Sequence, residues 1–382
     1  MHTTPDPYQD IRDAVRDLCA QFPDEYHRKV DEARGYPEAF VNALTQAGWM
    51  AALIPQEYGG SGLSMAAASV IMEEINRSGG NSGACHGQMY VMNSIVRSGS
   101  EAQKKTLLPQ IASGALRIQS MGVTEPTTGS DTTKLKTTAV KKDGRWVING
   151  QKVWISRIQH SDLMILLART TPLADVKKKS EGMSIFMVHL DQALGHGMEM
   201  RLIPNMVNHE TNQVFFDNLE IPEENLIGKE GWGLKIALST LNTGRLALPA
   251  ICVGQSKWAT KIAREWSTER VQWGRPIGKH DAVAQKVLEG ALGIEEAGAV
   301  AQVEGAASRV STAVNANRQS LGAVQKSLTS ARDTAEGHAA AAEQVAASTE
   351  QTSASAQEVS ATAEMLQTAS LRVRGLIGEF RT

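Results

Sequence analysis

Apolar residues recur at three-to-four spacing through Ala39 to Trp49 and Met65 to Asn76, which predicts amphipathic helices across residues 8 to 118. Tyr58-Gly59-Gly60-Ser61-Gly62 reads as a turn between them, and Pro109 as an interruption of a later helical stretch. From residue 119 to 228 the period changes to two. Alternation runs through Thr137-Thr138-Ala139-Val140, a Lys142-Asp143-Gly144 turn, then Trp146-Val147-Ile148 and an Asn149-Gly150 pair. Asn-Gly between alternating runs is a strong hairpin signal. Met164 to Ala168, Met183 to Val188 and Gln213 to Phe216 are further predicted strands, and residues 234 to 268 return to helix.

Beyond Val287 the chain changes character. All seven Trp, all five Tyr and all twelve Pro lie before residue 277, and Phe380 is the only aromatic after Val287. Residues 289–382 are rich in Ala, Ser, Thr, Gln, Glu and Val and carry a net charge of −4. Here the period is a heptad. Starting from Val300, the a and d positions run through Val303, Ala307, Val310 and Val314 to Val373, Ile377 and Phe380 without a break, which predicts one coiled-coil helix. Its Ala- and Thr-rich seam requires a partner strand. The expected organisation is therefore a helical domain over 1–118, a β-domain over 119–232, a partial helical domain over 233–288 and a coiled-coil helix over 289–382. In class this is α+β and multidomain. It has an α-helical N-terminal domain and a β-barrel-like middle domain. A truncated helical domain then runs into the coiled coil.

The 382 residues allow two or three domains, and 42% hydrophobic content is enough for real cores. A net charge of −2 gives no reason to expect a nucleic-acid partner. No run of about 18 apolar residues predicts a membrane helix, and the first residues show no secretory signal. Cys19, Cys85 and Cys252 are far apart and odd in number, which fits reduced thiols and a cytoplasmic location, with no metal site expected.

Two segments carry candidate chemistry. Thr124 to Asp131 reads T-E-P-T-T-G-S-D, and Gly150 to Ser156 reads G-Q-K-V-W-I-S. Hydroxyls and backbone N–H groups beside an apolar body, with an indole at Trp154, suit a flat polar ring. Taken singly, Trp154 also reads as core, and Gly129 and Gly150 as turn formers. Together the two segments resemble the flavin-binding signatures of the acyl-CoA dehydrogenase family. The resemblance covers about residues 10 to 287 and includes Ile54 to Gly60, Phe216 to Gly228, Leu241 to Arg245 and Glu269 to Ile277.

That resemblance implies FAD as cofactor and an acyl-CoA thioester as substrate. Hydride passes to flavin N5 as the α,β bond is desaturated. It places cofactor contacts on Met121, Val123, Thr124, Gly129, Ser130, Trp154, Ile155 and Ser156. Arg270, Gln272 and Trp273 belong to a segment that reaches a neighbouring subunit's FAD. Substrate contacts fall on Ser130, Asn242, Thr243, Gly244 and Arg245. An electron-transferring flavoprotein as acceptor and a homodimer or homotetramer are implied too. No catalytic base is found. The family carries its glutamate either just before the helix arginine, where Gly244 stands, or beyond the end of the resemblance. Glu125 reads as structural, part of the T-E-P turn. The tail resembles the last helix of a methyl-accepting chemotaxis receptor, with Glu343-Gln344, Glu350-Gln351 and Gln357-Glu358 repeating every seven residues; the polar positions of any coiled coil fit the same pattern. An impaired dehydrogenase and a non-enzymatic chimera assembled by its coiled coil are the two readings open at this stage.

Overall fold

The computed structural model describes residues 6–298, residues 325–338 and isolated helical positions between 344 and 367. The chain divides into two compact units, Met1–Ser308 and Arg309–Thr382.

The first unit opens with six helices: α1 (Gln9–Cys19), α2 (Asp24–Glu32), α3 (Glu38–Gln46), α4 (Met65–Arg77), α5 (Gly83–Ser98) and α6 (Glu101–Ser113). Local signals set their ends. The Ser64 hydroxyl accepts from the Ala67 N–H to start α4. Ser100 and Gln103 form a reciprocal capping box at the start of α6. The helix predicted to reach Trp49 stops at Gln46, because Gly48 turns left-handed at φ +79°. Pro109 does not interrupt its helix as expected; α6 runs through it. Phe40, Ile71, Met72, Met89, Met92, Ile95 and Leu108 are shut from solvent in the core these helices share.

The β-domain contains β1 (Ser120–Gly122), β2 (Thr138–Lys142), β3 (Arg145–Ser156), β4 (Leu163–Arg169) and β5 (Met183–His189). A short helix, α7 (Leu190–Ala193), precedes β6 (Met198–Leu202), β7 (Thr211–Pro222) and β8 (Leu226–Ile227). The strand order is β6-β7-β3-β2-β4-β5-β8, with β1 parallel to β4. The expected barrel does not form, since β6 and β8 end the order as separate edges. β2 meets β4 through one parallel pair, Thr138 with Arg169, which divides the sheet into two halves. Trp146, Ile148, Ile155, Phe186, Val214 and Phe216 from both halves form a second core.

Strand β4 joins the two cores. Leu163, Ile165 and Leu167 face the helical core, whereas Met164, Leu166 and Ala168 face the β core. Period-two alternation thus splits one wholly apolar strand between two interiors.

The Asp143-Gly144 turn forms as predicted, with both residues at positive φ (+50° and +76°), as a type I′ turn requires. Asn149-Gly150 is not a turn. β3 continues through it, and its register against β7 shifts between Ile148 and Gly150. Gly150 sits at φ +146° with Thr137 against it, at a place where a Cβ would lie 2.6 Å from Thr137 Cα. The same Asn-Gly chemistry here serves a bulge.

α8 (Gly233–Glu269) follows and lies across α4 and α5. It is long and apolar enough by length and composition to cross a membrane. Yet Ala237, Ala247, Ala250 and Val253 are buried in the fold. A two-strand hairpin, β9 (Val271–Gln272) with β10 (Arg275–Pro276), leads into a helix over 281–298. In the second unit, residues 325–338 are helical and exposed. Most of the predicted heptad seam, with Glu343, Glu350 and Glu358, lies outside the described residues.

Candidate active site

The two signature segments run side by side. The Val153 N–H donates to Thr124 O at 2.9 Å, and the Ser120 hydroxyl donates to Ser156 O at 2.8 Å. Met121, Val123 and Thr124 are thereby aligned with Trp154, Ile155 and Ser156. The T-E-P turn is closed by reciprocal backbone bonds between Glu125 and Thr128 (3.0 and 3.1 Å). Gly129 and Ser130 follow it on the exposed side. The Thr128 hydroxyl is buried and has no hydrogen-bond partner among the described residues.

Beneath this turn is a residue that the sequence reading passed over. Lys152 is wholly buried, and its Nζ donates to Glu125 Oε1 (2.9 Å) and Val123 O (3.1 Å). Glu125 also accepts from the Lys136 and Thr137 N–H groups at 2.7 and 2.9 Å. Burial works to raise the Glu125 carboxyl, but Lys152 and these N–H donors outweigh it and hold the group below the usual carboxylate range. Burial pulls Lys152 down to about 8. The pair is ionised at neutral pH, and Glu125 has the structural role expected of it. The signal for Lys152 was its position: a lysine at an inward place in an alternating strand needs a buried partner.

Trp154 occupies the second register shift of β3, between Lys152 and Ile155. Its φ is +64°, and 59% of its surface is exposed. A left-handed conformation costs an L-residue roughly 1–2 kcal/mol. The bulge spends that energy on turning an indole outward where strand alternation alone would fix its direction otherwise. Ile155, the next residue, points into the β core, so only its backbone remains for a ligand; Asn212 Nδ2 donates to its carbonyl at 3.2 Å.

The substrate-side residues divide between two faces of α8. Asn242 and Arg245 are exposed and bonded to each other at 3.0 Å. Thr243 and Gly244 are buried against α5, where the Thr243 hydroxyl accepts from Asn93 Nδ2 at 2.6 Å. Gly244 O accepts from His86 Nε2 at 3.1 Å. His86 is tilted against Tyr90, with ring centroids 5.1 Å apart. Arg157 follows Ser156 at φ +62° and pairs with Glu210 at 3.2 Å. Its guanidinium lies over Gly83 and Gly87 of α5. Helix α5 therefore links the end of β3 to the middle of α8. His86, Tyr90 and Arg157 were not singled out in the sequence, because lone residues on a helix and a strand end carry no spacing signal.

Arg270, Gln272 and Trp273 stand elsewhere. They follow the last turn of α8, roughly 35–40 Å along the helix from Gly244. Trp273 is 86% exposed at φ +49°. The structure does not bring this hairpin to the signature segments of the same chain.

Residues 5–115 match the acyl-CoA dehydrogenase N-terminal domain, residues 120–219 its middle domain and residues 231–344 its C-terminal domain. The last match runs past residue 287, where the quoted signatures end. A probable acyl-CoA dehydrogenase, FadE10 of Mycobacterium tuberculosis, is 38% identical over 264 residues, covering 68% of this chain and 40% of that relative. The chain thus spans less than half the length of that relative. An acyl-CoA dehydrogenase of Bacillus subtilis is 32% identical over 304 residues, covering 78% of this chain and 77% of the relative. The solved structure of a glutaryl-coenzyme A dehydrogenase with glutaryl-CoA superposes with a TM-score of 0.73 at 29% identity, over 81% of this chain and 78% of that one. With its three domain matches in order along one fold, the chain belongs to the acyl-CoA dehydrogenase family, whose members are FAD-binding flavoproteins.

Proposed function

We propose that this protein is an FAD-dependent dehydrogenase that desaturates the α,β bond of an acyl-CoA thioester. The observation that carries the proposal is the pairing of Val153 with Thr124 under an outward-facing Trp154. It sets a flat aromatic face beside a row of backbone and hydroxyl groups.

The residues present fit a flavin. Thr128 has a buried hydroxyl without a partner among the described residues, in the turn that joins Thr124 to Ser130. A Cβ built on Gly129 meets nothing among the described residues within 4 Å, so the backbone there is open to a close neighbour. Thr124 and Ser156 would address the polar edge of the ring, Trp154 its face, and Ser130 its phosphates. Hydrogen-bond donors at a ring edge stabilise the charge that builds up on reduction. The bound flavin would supply the hydride acceptor for the β-carbon.

Further roles rest on the resemblance. Ser130 and the Asn242 to Arg245 segment would meet the thioester. Arg270, Gln272 and Trp273 would serve the FAD of a neighbouring subunit in a homodimer or homotetramer; an exposed indole and an exposed guanidinium at the end of a long helix support that assignment. An electron-transferring flavoprotein would reoxidise the cofactor.

The test is spectroscopic. Protein reconstituted with FAD should show a bound flavin band, and anaerobic acyl-CoA should bleach it. Protein that remains folded yet retains no flavin after reconstitution would end the proposal.

A further inference from the structure

We propose that a cleft between α1, α4 and α8, away from the flavin segments, is a binding site for a polyphosphate chain, free or carried by a nucleotide. The inference stands apart from the dehydrogenase reading.

The cleft has a volume of about 650 Å³, within the range of small-molecule sites. Two helix faces converge on it. On α1, Gln9, Arg12 and Arg16 fall at three-to-four spacing, and on α8 so do Lys257, Thr260, Lys261 and Arg264. α4 packs against both helices and sets Glu74 and Arg77 between them. Ala291 and Ile294, from the helix over 281–298, give the cleft an apolar side.

Charge decides the class of ligand. Six cationic side chains line the cleft, against the carboxylates of Asp6, Glu74 and Glu295. Glu74 is buried and gathers three guanidiniums, those of Arg12, Arg16 and Arg77. One carboxylate cannot cancel three cations, and the Arg12 charge opposes that of Arg16. Glu73, beneath, accepts from Lys257 at 2.6 Å and pairs with Arg12 at 3.2 Å. With Glu73 counted, the cations still outnumber the carboxylates by two. Asp13 and Glu265 pair with Arg16 and Lys261 from outside the cleft, and such exposed pairs are worth little. A concave surface with excess positive charge concentrates anions.

Donors are also left over. Arg12 bonds through Nε and Nη1 and Arg77 through Nη1, so the Nη2 of each is unused among the described residues. The exposed Arg264 side chain has no partner among the described residues. A planar guanidinium with a free edge matches phosphate oxygens in pairs, and Thr260 adds a hydroxyl. The row from Lys257 to Arg264 runs about 10 Å along α8. A single phosphate cannot span that row, whereas a chain of two or three reaches several of the six cations at once. Lys257 lies thirteen residues beyond Gly244, about 20 Å along the helix, so this ligand and an acyl thioester occupy separate places.

Calorimetric titration of the full chain with sodium tripolyphosphate, ADP and ATP, with and without saturating FAD, tests the site. One saturable site per chain is expected, unchanged by FAD and weakened by added salt. Arg264 is exposed and unpaired, so Arg264→Ala should keep the fold, yet it should weaken binding by about tenfold or more. Thr260→Glu sets a carboxylate among the cations and should abolish binding, with circular dichroism to confirm that the helices remain. Lys142→Gln, an equal loss of charge on β2, should change nothing. ATP binding more tightly than tripolyphosphate would identify a nucleotide, with its base against Ala291 and Ile294; equal affinity would identify the phosphate chain alone. The proposal is overturned by the lack of a saturable site, by equal losses in Lys142→Gln and Arg264→Ala, or by displacement of tripolyphosphate when FAD is added.

Discussion

Lys152 Nζ lies 2.9 Å from Glu125 Oε1 in the interior of the β-domain, with Lys152 wholly buried and Glu125 nearly so. This pair fastens the T-E-P turn to the strand that carries Trp154, so it ties together the two halves of the proposed flavin site. Lys152→Met leaves the Glu125 charge buried without its cation. Removing one partner of a buried pair costs about 3–5 kcal/mol, so urea denaturation should show a loss of that size. Lys152→Met combined with Glu125→Gln should lose less than Lys152→Met alone, because the stranded charge is gone. Equal losses would show that the pair does not act as a unit.

Acid should strike two places. Glu125 is held below the usual carboxylate range, although burial works against it. The same holds for Glu74, where hydrogen bonds from Arg16 and Arg12 outweigh desolvation. Both groups bind fewer protons in the fold than in the unfolded chain, so the stability they contribute is present above the unfolded carboxylate pKa. It is lost as pH falls through their lowered folded values. Urea midpoints should therefore drop below about pH 4.5. Glu74→Gln should show a shallower drop; an unchanged slope would remove Glu74 from the account.

Much of the fold and part of the site were legible in the sequence. The Asp143-Gly144 hairpin, the helix around Met65 to Asn76 and the run Met164 to Ala168 announced themselves through period and turn chemistry. Asn149-Gly150 misled because the residues that build a two-residue hairpin also build a bulge. What decides between them is whether Thr137 lies against Gly150, and Thr137 is thirteen positions away. Thr124 and Trp154 were readable because each stands in a worded segment. His86 was not. Its significance arises from Gly244 on another helix, and no local pattern ties the two together.

Trp154 lends itself to a separation of stability from binding. Its left-handed φ is strained for any side chain except glycine, and its indole is 59% exposed, so little burial is lost on truncation. Trp154→Gly should leave the thermal midpoint unchanged or slightly raised while flavin affinity falls at least tenfold. Trp154→Phe should keep the strain and part of the affinity. A large drop in thermal midpoint for the glycine variant would mean that the indole supports the fold and not the ligand.

The crossing of α8 over α4 yields a paired prediction of opposite sign. At Gly254 an added Cβ would lie 2.3 Å from Glu73 O, 2.9 Å from Asn76 Cβ and 3.1 Å from Arg77 N. Two of these are backbone atoms of α4, which cannot give way as a flexible side-chain end could. α4 is also held on its other side, where Arg12 and Arg16 grip Glu74 at 2.6 and 2.7 Å. Gly254→Ala gains helix propensity worth about 1 kcal/mol, but the overpacked crossing should cost more, leaving a net loss of roughly 1–2 kcal/mol. Gly293, in the helix over 281–298, has nothing among the described residues within 4 Å of a built Cβ. There the propensity gain stands alone, and Gly293→Ala should stabilise by about 0.4–1 kcal/mol. Denaturant midpoints of the two variants should move in opposite directions from the parent; a Gly254→Ala protein at least as stable as the parent would show that the helix crossing has room the glycine does not use.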